Sequence, residues 1–180
     1  GSGGLARIAL DNETGWQVAI EAQSGDYFDR YNRFGCLESA SNELDWHDNP
    51  EMAPMGNHIS MYFNSIIESS VVPMTSDLRQ TLDHVQIWDG ELTGSGLTEP
   101  VELSWTVEKA APDDIAVNLI DLNSRSVLDL SAPDQYLLGD LDDRYSRHIK
   151  IVAGDPEQVA LAVDEILAAI PEELSLDGNY

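Results

Sequence analysis

Four oxygen-bearing side chains fall within seven residues, at Asp45, Asp48, Asn49 and Glu51, and Asp26 and Asp29 precede them on the same stretch. Ca²⁺ takes about six to eight oxygen ligands, often supplied by irregular backbone, so calcium is the metal that this segment suits best. The spacing is not that of a helix–loop–helix calcium loop. The plainer alternative is a set of turn-forming acids on a very acidic surface. A second acidic group, Asp140, Asp142 and Asp143, reads more simply as a polar connection between strands.

Rings crowd the same stretch: Tyr27, Phe28, Tyr31, Phe34 and Trp46. Tyr27, Phe28, Tyr31 and Trp46 could form a stacking platform for a carbohydrate ligand if their faces point outward. Turned inward, the same rings would pin a long irregular loop to a sheet, which such a loop needs in any case. Anchoring is the simpler expectation.

Other chemistry has less behind it. His47, His58, His84 and His148 show no zinc-ligand spacing. Ser39, Ser41, Ser60 and Ser104 lack a Gly-x-Ser-x-Gly setting, and Gly90, Gly94 and Gly96 precede no Lys-Ser/Thr of a phosphate loop. Cys36 is the only cysteine, in an apolar run, and reads as a buried structural thiol. Lys109 and Lys150, the only lysines, are the conceivable donors of an isopeptide staple. With 33 acids in the chain, carboxylate pairs carry no information about glycoside hydrolysis, and a hydrolase is the remotest reading. No residue is assigned a catalytic role.

The elements that would position these residues are mostly short strands. Trp16, Val18, Ile20 and Ala22 alternate with polar neighbours, as do Val101, Leu103, Trp105 and Val107. Further strands are expected at Ala6–Leu10, His58–Phe63, Leu78–Leu82, Val85–Trp88, Ile115–Leu122, Ser126–Leu130, Tyr136–Leu138 and Tyr145–Val152. Residues 23–56 and Asp89–Pro100 read as loops, the first long and rich in Asp, Asn, Gly and Pro. The period changes at Asp155-Pro156-Glu157, an N-cap, a Pro at the first helical position and an acidic first turn. Val159, Val163, Ile166, Leu167 and Ile170 then mark one face of a helix that ends before Pro171. The pattern implies a mainly β protein: an antiparallel β-sandwich, jelly-roll or immunoglobulin-like, with a long loop and a C-terminal helix.

Composition narrows the partners. The 180 residues carry 9 Lys+Arg against 33 Asp+Glu, a formal net charge of −24. So few cations under that field exclude a general binder of nucleic acid or anionic membrane. No apolar run approaches the roughly 20 residues that span a bilayer. Such a surface repels itself at low salt and is relieved at molar salt, so a saline habitat is expected.

The tail Pro171-Glu172-Glu173-Leu174-Ser175-Leu176-Asp177-Gly178-Asn179-Tyr180 resembles the opening of C-terminal sorting modules of exported, cell-surface or secreted proteins of Bacteroidota-like bacteria. In those modules a Leu-x-x-Asn-Tyr element runs into a Pro-Asn-Pro-Phe-Asn-Pro turn; Leu176, Asn179 and Tyr180 match the opening. A looser resemblance over residues 14–152 is to the β-rich modules that precede such tails. It rests on Gly15-Trp16-Gln17-Val18, Asp48-Asn49-Pro50-Glu51, Asp77-Leu78-Arg79, Val101–Trp105 and Arg147–Ile151, with Met52-Ala53-Pro54-Met55 where a richer proline run is usual.

The expected organisation takes residues 1–3, Gly-Ser-Gly, as a cloning scar or linker, 4–154 as the β-sandwich domain and 155–170 as a C-terminal helix packed on or flanking it; the resemblance makes 171–180 a linker toward an absent sorting domain. The resemblances imply an extracellular or cell-surface location and a non-catalytic accessory role in spacing, adhesion or protein–protein contact. Calcium is the only cofactor to consider, and a protein or a polysaccharide the only ligand class.

Overall fold

In β1 (Gly15–Ser24) every second side chain from Trp16 to Ser24 is buried, and β7 (Val101–Lys109) buries Val101, Leu103 and Trp105 in the same rhythm. The two pair antiparallel, so their apolar faces merge into one inner surface. The computed structural model describes residues 14–81, 84–139 and 146–171. The other strands are β2 (Tyr27–Leu37), β3 (Asn49–Pro50), β4 (His58–Ile67), β5 (Ser70–Arg79), β6 (Gln86–Ser95), β8 (Ala116–Asp121), β9 (Ser126–Asp129), β10 (Asp134–Gly139) and β11 (Arg147–Gly154). Among the described residues one helix, α1 (Pro156–Ala169), follows.

The chain is mainly β, as the alternation implies, but its strands belong to a single hydrogen-bonded sheet. Its order is β10-β7-β1-β2-β5-β4-β6-β11-β8-β9, with β3 paired to β5 off this path. The sheet is mixed: β2 and β5 run parallel, while the other pairs are antiparallel.

Its curl follows from the core. Trp16 on β1 and Trp88 on β6 lie four strand steps apart, about 19 Å on a flat sheet. Their ring centroids are 5.9 Å apart, edge to face, and Phe34 and Phe63 join them at 5.4–5.9 Å. The sheet therefore rolls onto itself as a half-barrel around these rings. The three tryptophans expected in strands, Trp16, Trp88 and Trp105, are at most 5% exposed.

Two expected loops are strands. β2 occupies residues expected to be irregular because a bulge breaks its rhythm. Register passes from Ile20↔Asn32 to Ala22↔Asp29, so β2 uses three residues where β1 uses two. Tyr31 takes the extra position in the left-handed region, with φ 69°. Tyr27 and Asp29 face inward before the bulge, and Asn32, Phe34 and Cys36 after it. The irregular part shrinks to residues 38–57, interrupted by β3. Likewise β6 runs on through Ser95, its glycines serving packing instead of a turn. A Cβ on Gly90 would stand 2.6 Å from Ile149 Cγ1 on the paired strand.

The C-terminal helix forms as expected. Asp155 Oδ1 accepts from Glu157 N at 3.0 Å and Gln158 N at 3.2 Å, and Pro156 opens the first turn. Val159 and Val163 pack on Ile120 and Val152, the outward-facing residues of β8 and β11. That contact explains why Leu119-Ile120 and Ile151-Val152 are buried on both sheet faces. The expected strand Ala6–Leu10, the acids Asp140, Asp142 and Asp143, and the tail from Glu172 lie outside the described residues.

Candidate functional site

The acids of residues 38–57 act first as hydrogen-bond acceptors. Asp45 Oδ2 accepts from Ser41 N at 2.6 Å and Oδ1 from His47 N at 2.7 Å. Asp48 Oδ2 accepts from Asp45 N at 3.1 Å, while Oδ1 accepts from Leu78 N on β5 at 3.2 Å. Glu51 accepts from Ser60 Oγ on β4 at 2.9 Å and from Thr75 Oγ1 on β5. Its own amide donates to Pro73 O at 2.9 Å, and Ser76 Oγ donates to His47 O at 3.1 Å. Asn49 and Pro50 add a two-residue ladder to Ser76 and Met74. The segment is thus sewn along β5.

Of the six side chains considered for calcium, Asp45 and Asp48 come together, and Glu51 and Asp29 feel each other's charge. Asp29 accepts from Met61 N at 2.6 Å, bridging β2 to β4. Asn49 is exposed, and Asp26 is exposed in the β1–β2 turn. Among the described residues, no three His, Cys, Asp or Glu are placed to hold a metal. Burial pushes the carboxyl groups of Asp48 and Asp29 above the ordinary range. Backbone N–H donors counter it in both, and the Glu51 charge adds to the rise at Asp29.

The rings separate by role. Phe34 is fully buried and Tyr27 packs against the core, whereas Phe28, Tyr31 and Trp46 are exposed. The Arg30 guanidinium covers Phe28 at 4.2 Å and Arg33 covers Tyr31 at 5.1 Å. Trp46 lies on the His47 ring at 3.5 Å between centroids and is 71% exposed.

A groove of about 420 Å³ separates this segment from β4, β5 and β6. No sequence spacing announces it, because four separate segments build it. Its floor is an ion pair: Arg79 Nε and Nη2 donate to Asp77 at 3.0 and 2.9 Å, and Nη1 donates to Ile87 O at 2.8 Å. The guanidinium sits 4.7 Å over the Trp88 ring, so Arg79 is fully engaged within the protein. Glu43, Asp48 and His84 stand in the remaining walls, Asp89 is paired with Lys150, and Leu44 and Ile66 are exposed beside them. Ile66 pairs across the β4–β5 hairpin with Val71, and both are exposed at 78% and 66%. The hairpin turns at Glu68 and Ser69, both at positive φ, the geometry that suits the strand twist.

A second polar centre closes the curl. Asp121, fully buried on β8, accepts from Ser124 Oγ at 2.8 Å, Tyr136 OH at 3.2 Å and Arg147 Nη2 at 2.9 Å, and from Asn123 N at 3.0 Å. Arg147 Nη2 also donates to Leu138 O at 3.0 Å. Tyr136 and Leu138 belong to β10, at the opposite end of the strand order from β8. Side chains therefore tie the two ends of the sheet. Burial alone would raise the Asp121 carboxyl, but Arg147 and Ser124 outweigh it and hold it below the ordinary range.

No protein-family model, no curated protein and no solved structure matches this chain. Among the described residues, no helix is long and apolar enough to cross a membrane.

Proposed function

We propose that the chain is a non-catalytic accessory module of an exported, cell-surface or secreted protein, serving spacing, adhesion or protein–protein contact. The curled sheet acts as a sandwich-like spacer, and the sewn segment with its groove is the contact face. One observation carries this reading. Asp45, Asp48 and Glu51 fix residues 41–51 to the sheet while Leu44 and Trp46 stay 52% and 71% exposed. Large apolar side chains on ordered backbone are what a preformed contact surface requires, because little ordering entropy remains to be lost on binding. Glu43 and Asp48 in the groove wall, beside Leu44 and Ile66, favour a protein partner that brings basic side chains among aliphatic ones.

The test is retention of the chain on isolated bacterial envelope fragments in about 0.5 M NaCl, where exposed charges are screened. The double variant Leu44→Ser, Ile66→Ser should lose retention by at least about tenfold, as expected for removing apolar anchors. Leu161→Ser, an equally exposed apolar change on α1, should retain it. Equal retention of all three proteins overturns the reading.

A second reading, carbohydrate binding, rests on the Trp46 ring, which keeps one face open beyond His47. Depletion by an insoluble polysaccharide, abolished in Trp46→Ala and unchanged in Leu44→Ser, would replace the first reading with this one.

A further inference from the structure

The β4–β5 hairpin carries a free strand edge. β4 pairs with β6 only from His58↔Ser95 to Phe63↔Gly90, whereas its pairing with β5 runs on from Phe63↔Met74 to Ile67↔Ser70. Past Phe63, β4 and β6 part, and the groove opens between residues 64–67 of β4 and Gln86, Ile87 and Asp89 of β6. The β6 side of this fork is already engaged, since Ile87 O accepts from Arg79 Nη1 at 2.8 Å. The β4 side is not.

Register tells which backbone groups of β4 face the opening. In an antiparallel ladder, opposed residues alternate between pairs that exchange hydrogen bonds and pairs that do not. Pro73 has no N–H, so Asn64↔Pro73 is of the second kind. Its carbonyl agrees, pointing away from β4 to accept from Glu51 N at 2.9 Å. Ile66↔Val71, two residues along, has the same parity. The N–H and C=O groups of Asn64 and Ile66 therefore turn from β5 toward the groove, where none of the described residues pairs with them. Such a row of donors and acceptors is a template for a further strand.

We propose that β4 takes an extended segment of another protein, bearing aliphatic and basic residues, as an added strand at Asn64 and Ile66. The main chain of that segment exchanges hydrogen bonds with these two residues, and its basic side chains are drawn to Glu43 and Asp48 in the groove wall. Ile66, 78% exposed, offers the apolar contact. A second copy of the chain is disfavoured, because it would set the same acids against each other under −24 on each side. The proposal rests on the reading of this face as a contact surface, and names main-chain pairing as its mode.

The probe is a fluorescein-labelled peptide of three Val-Lys repeats, read by anisotropy against the whole chain in about 0.5 M NaCl, which screens attraction to the acidic surface at large. It should bind saturably. Ile66→Pro keeps an apolar side chain but removes the donor that faces the groove, and should weaken binding at least about fivefold. Val71→Pro removes a donor from the opposite edge of the same hairpin, and should bind within about twofold of the parent. One measurement needs no variant: by NMR, amide exchange at Ile66 should slow at least about fivefold when the peptide saturates, while exchange at Val71 stays unchanged. No saturable binding, equal loss in the two proline variants, or unchanged exchange at Ile66 overturns strand addition. Loss of envelope retention in Leu44→Ser, Ile66→Ser would then leave the contact face standing without it. A dimer of the chain alone that Ile66→Pro abolishes would give the edge to a second copy, and overturns the proposal as well.

Discussion

Asp121 at the seam and Asp29 beneath the 38–57 segment are both withdrawn from water, yet their surroundings push them in opposite directions. Asp121 meets Arg147, Tyr136 and Ser124, and its carboxyl is held low. Asp29 meets Met61 N and the charge of Glu51, and its carboxyl is held high. The same residue type thus does two jobs. At the seam it is half of an ion pair that closes the curled sheet. Under the loop it is an acceptor that fixes backbone, with no cation paired to it among the described residues. The seam concerns whether the barrel exists; the loop concerns what its surface presents.

Breaking the seam should have the largest effect. Asp121→Asn leaves the Arg147 guanidinium, whose side chain is 16% exposed, facing a neutral group that also donates. Removing one partner of a buried pair costs about 3–5 kcal/mol, so urea unfolding at pH 7 should show a loss of that size. A loss below about 1 kcal/mol would mean that the seam does not hold the two ends together.

The loop aspartate should respond less and depend on the replacement. Asp29→Ala orphans Met61 N and should cost about 1–2 kcal/mol, whereas Asp29→Asn keeps an acceptor and should leave stability within about 1 kcal/mol of the parent. The pH dependence sharpens the contrast. Asp121 binds its proton more weakly folded than unfolded, so its contribution is present above the unfolded value near 3.8 and lost as pH falls through the folded one. Asp29 and Asp48 bind theirs more tightly when folded, so their contribution declines as pH rises from 3.8 through their raised folded values. Unfolding profiles should therefore flatten below about pH 4 in Asp121→Asn and just above it in Asp29→Asn. Identical profiles would erase the distinction.

The smallest effect separates screening from a specific ion. Raising NaCl from about 0.1 to 1 M should raise Tm by relieving repulsion across the −24 surface. Millimolar Ca²⁺ should add nothing beyond a matched ionic strength, because Asp45, Asp48 and Glu51 already accept from the protein. A saturable shift specific to Ca²⁺, abolished in Asp48→Asn, would instead make the segment a calcium site.

Much of this architecture was legible wherever periodicity ran unbroken. Trp16 to Ala22, Val101 to Val107 and the Asp155-Pro156 helix start read directly as the elements they form. β2 was hidden because its parity reverses at Tyr31 and its inward positions include Asp29 and Asn32. β6 was shortened because Gly90 suggests a turn, when it makes room for Ile149. The acids from Asp45 to Glu51 stood out by composition, but their donors come from strands up to 30 residues away and left no local trace. Asp121 carried no signal either, since Tyr136 and Arg147 reach it from β10 and β11.

Residues 41–51 form a fixed surface, and amide hydrogen exchange tests that most directly. Met61 N and Leu78 N, which donate to Asp29 and Asp48, and Ser41 N and His47 N, which donate to Asp45, should be protected. Exchange should be at least about tenfold slower at these four amides than at exposed loop amides, with the Leu78 protection falling in Asp48→Ala. Exchange of Ser41 and His47 at the rate of an unstructured chain would contradict it, since the exposed side chains of Leu44 and Trp46 would then have no fixed frame.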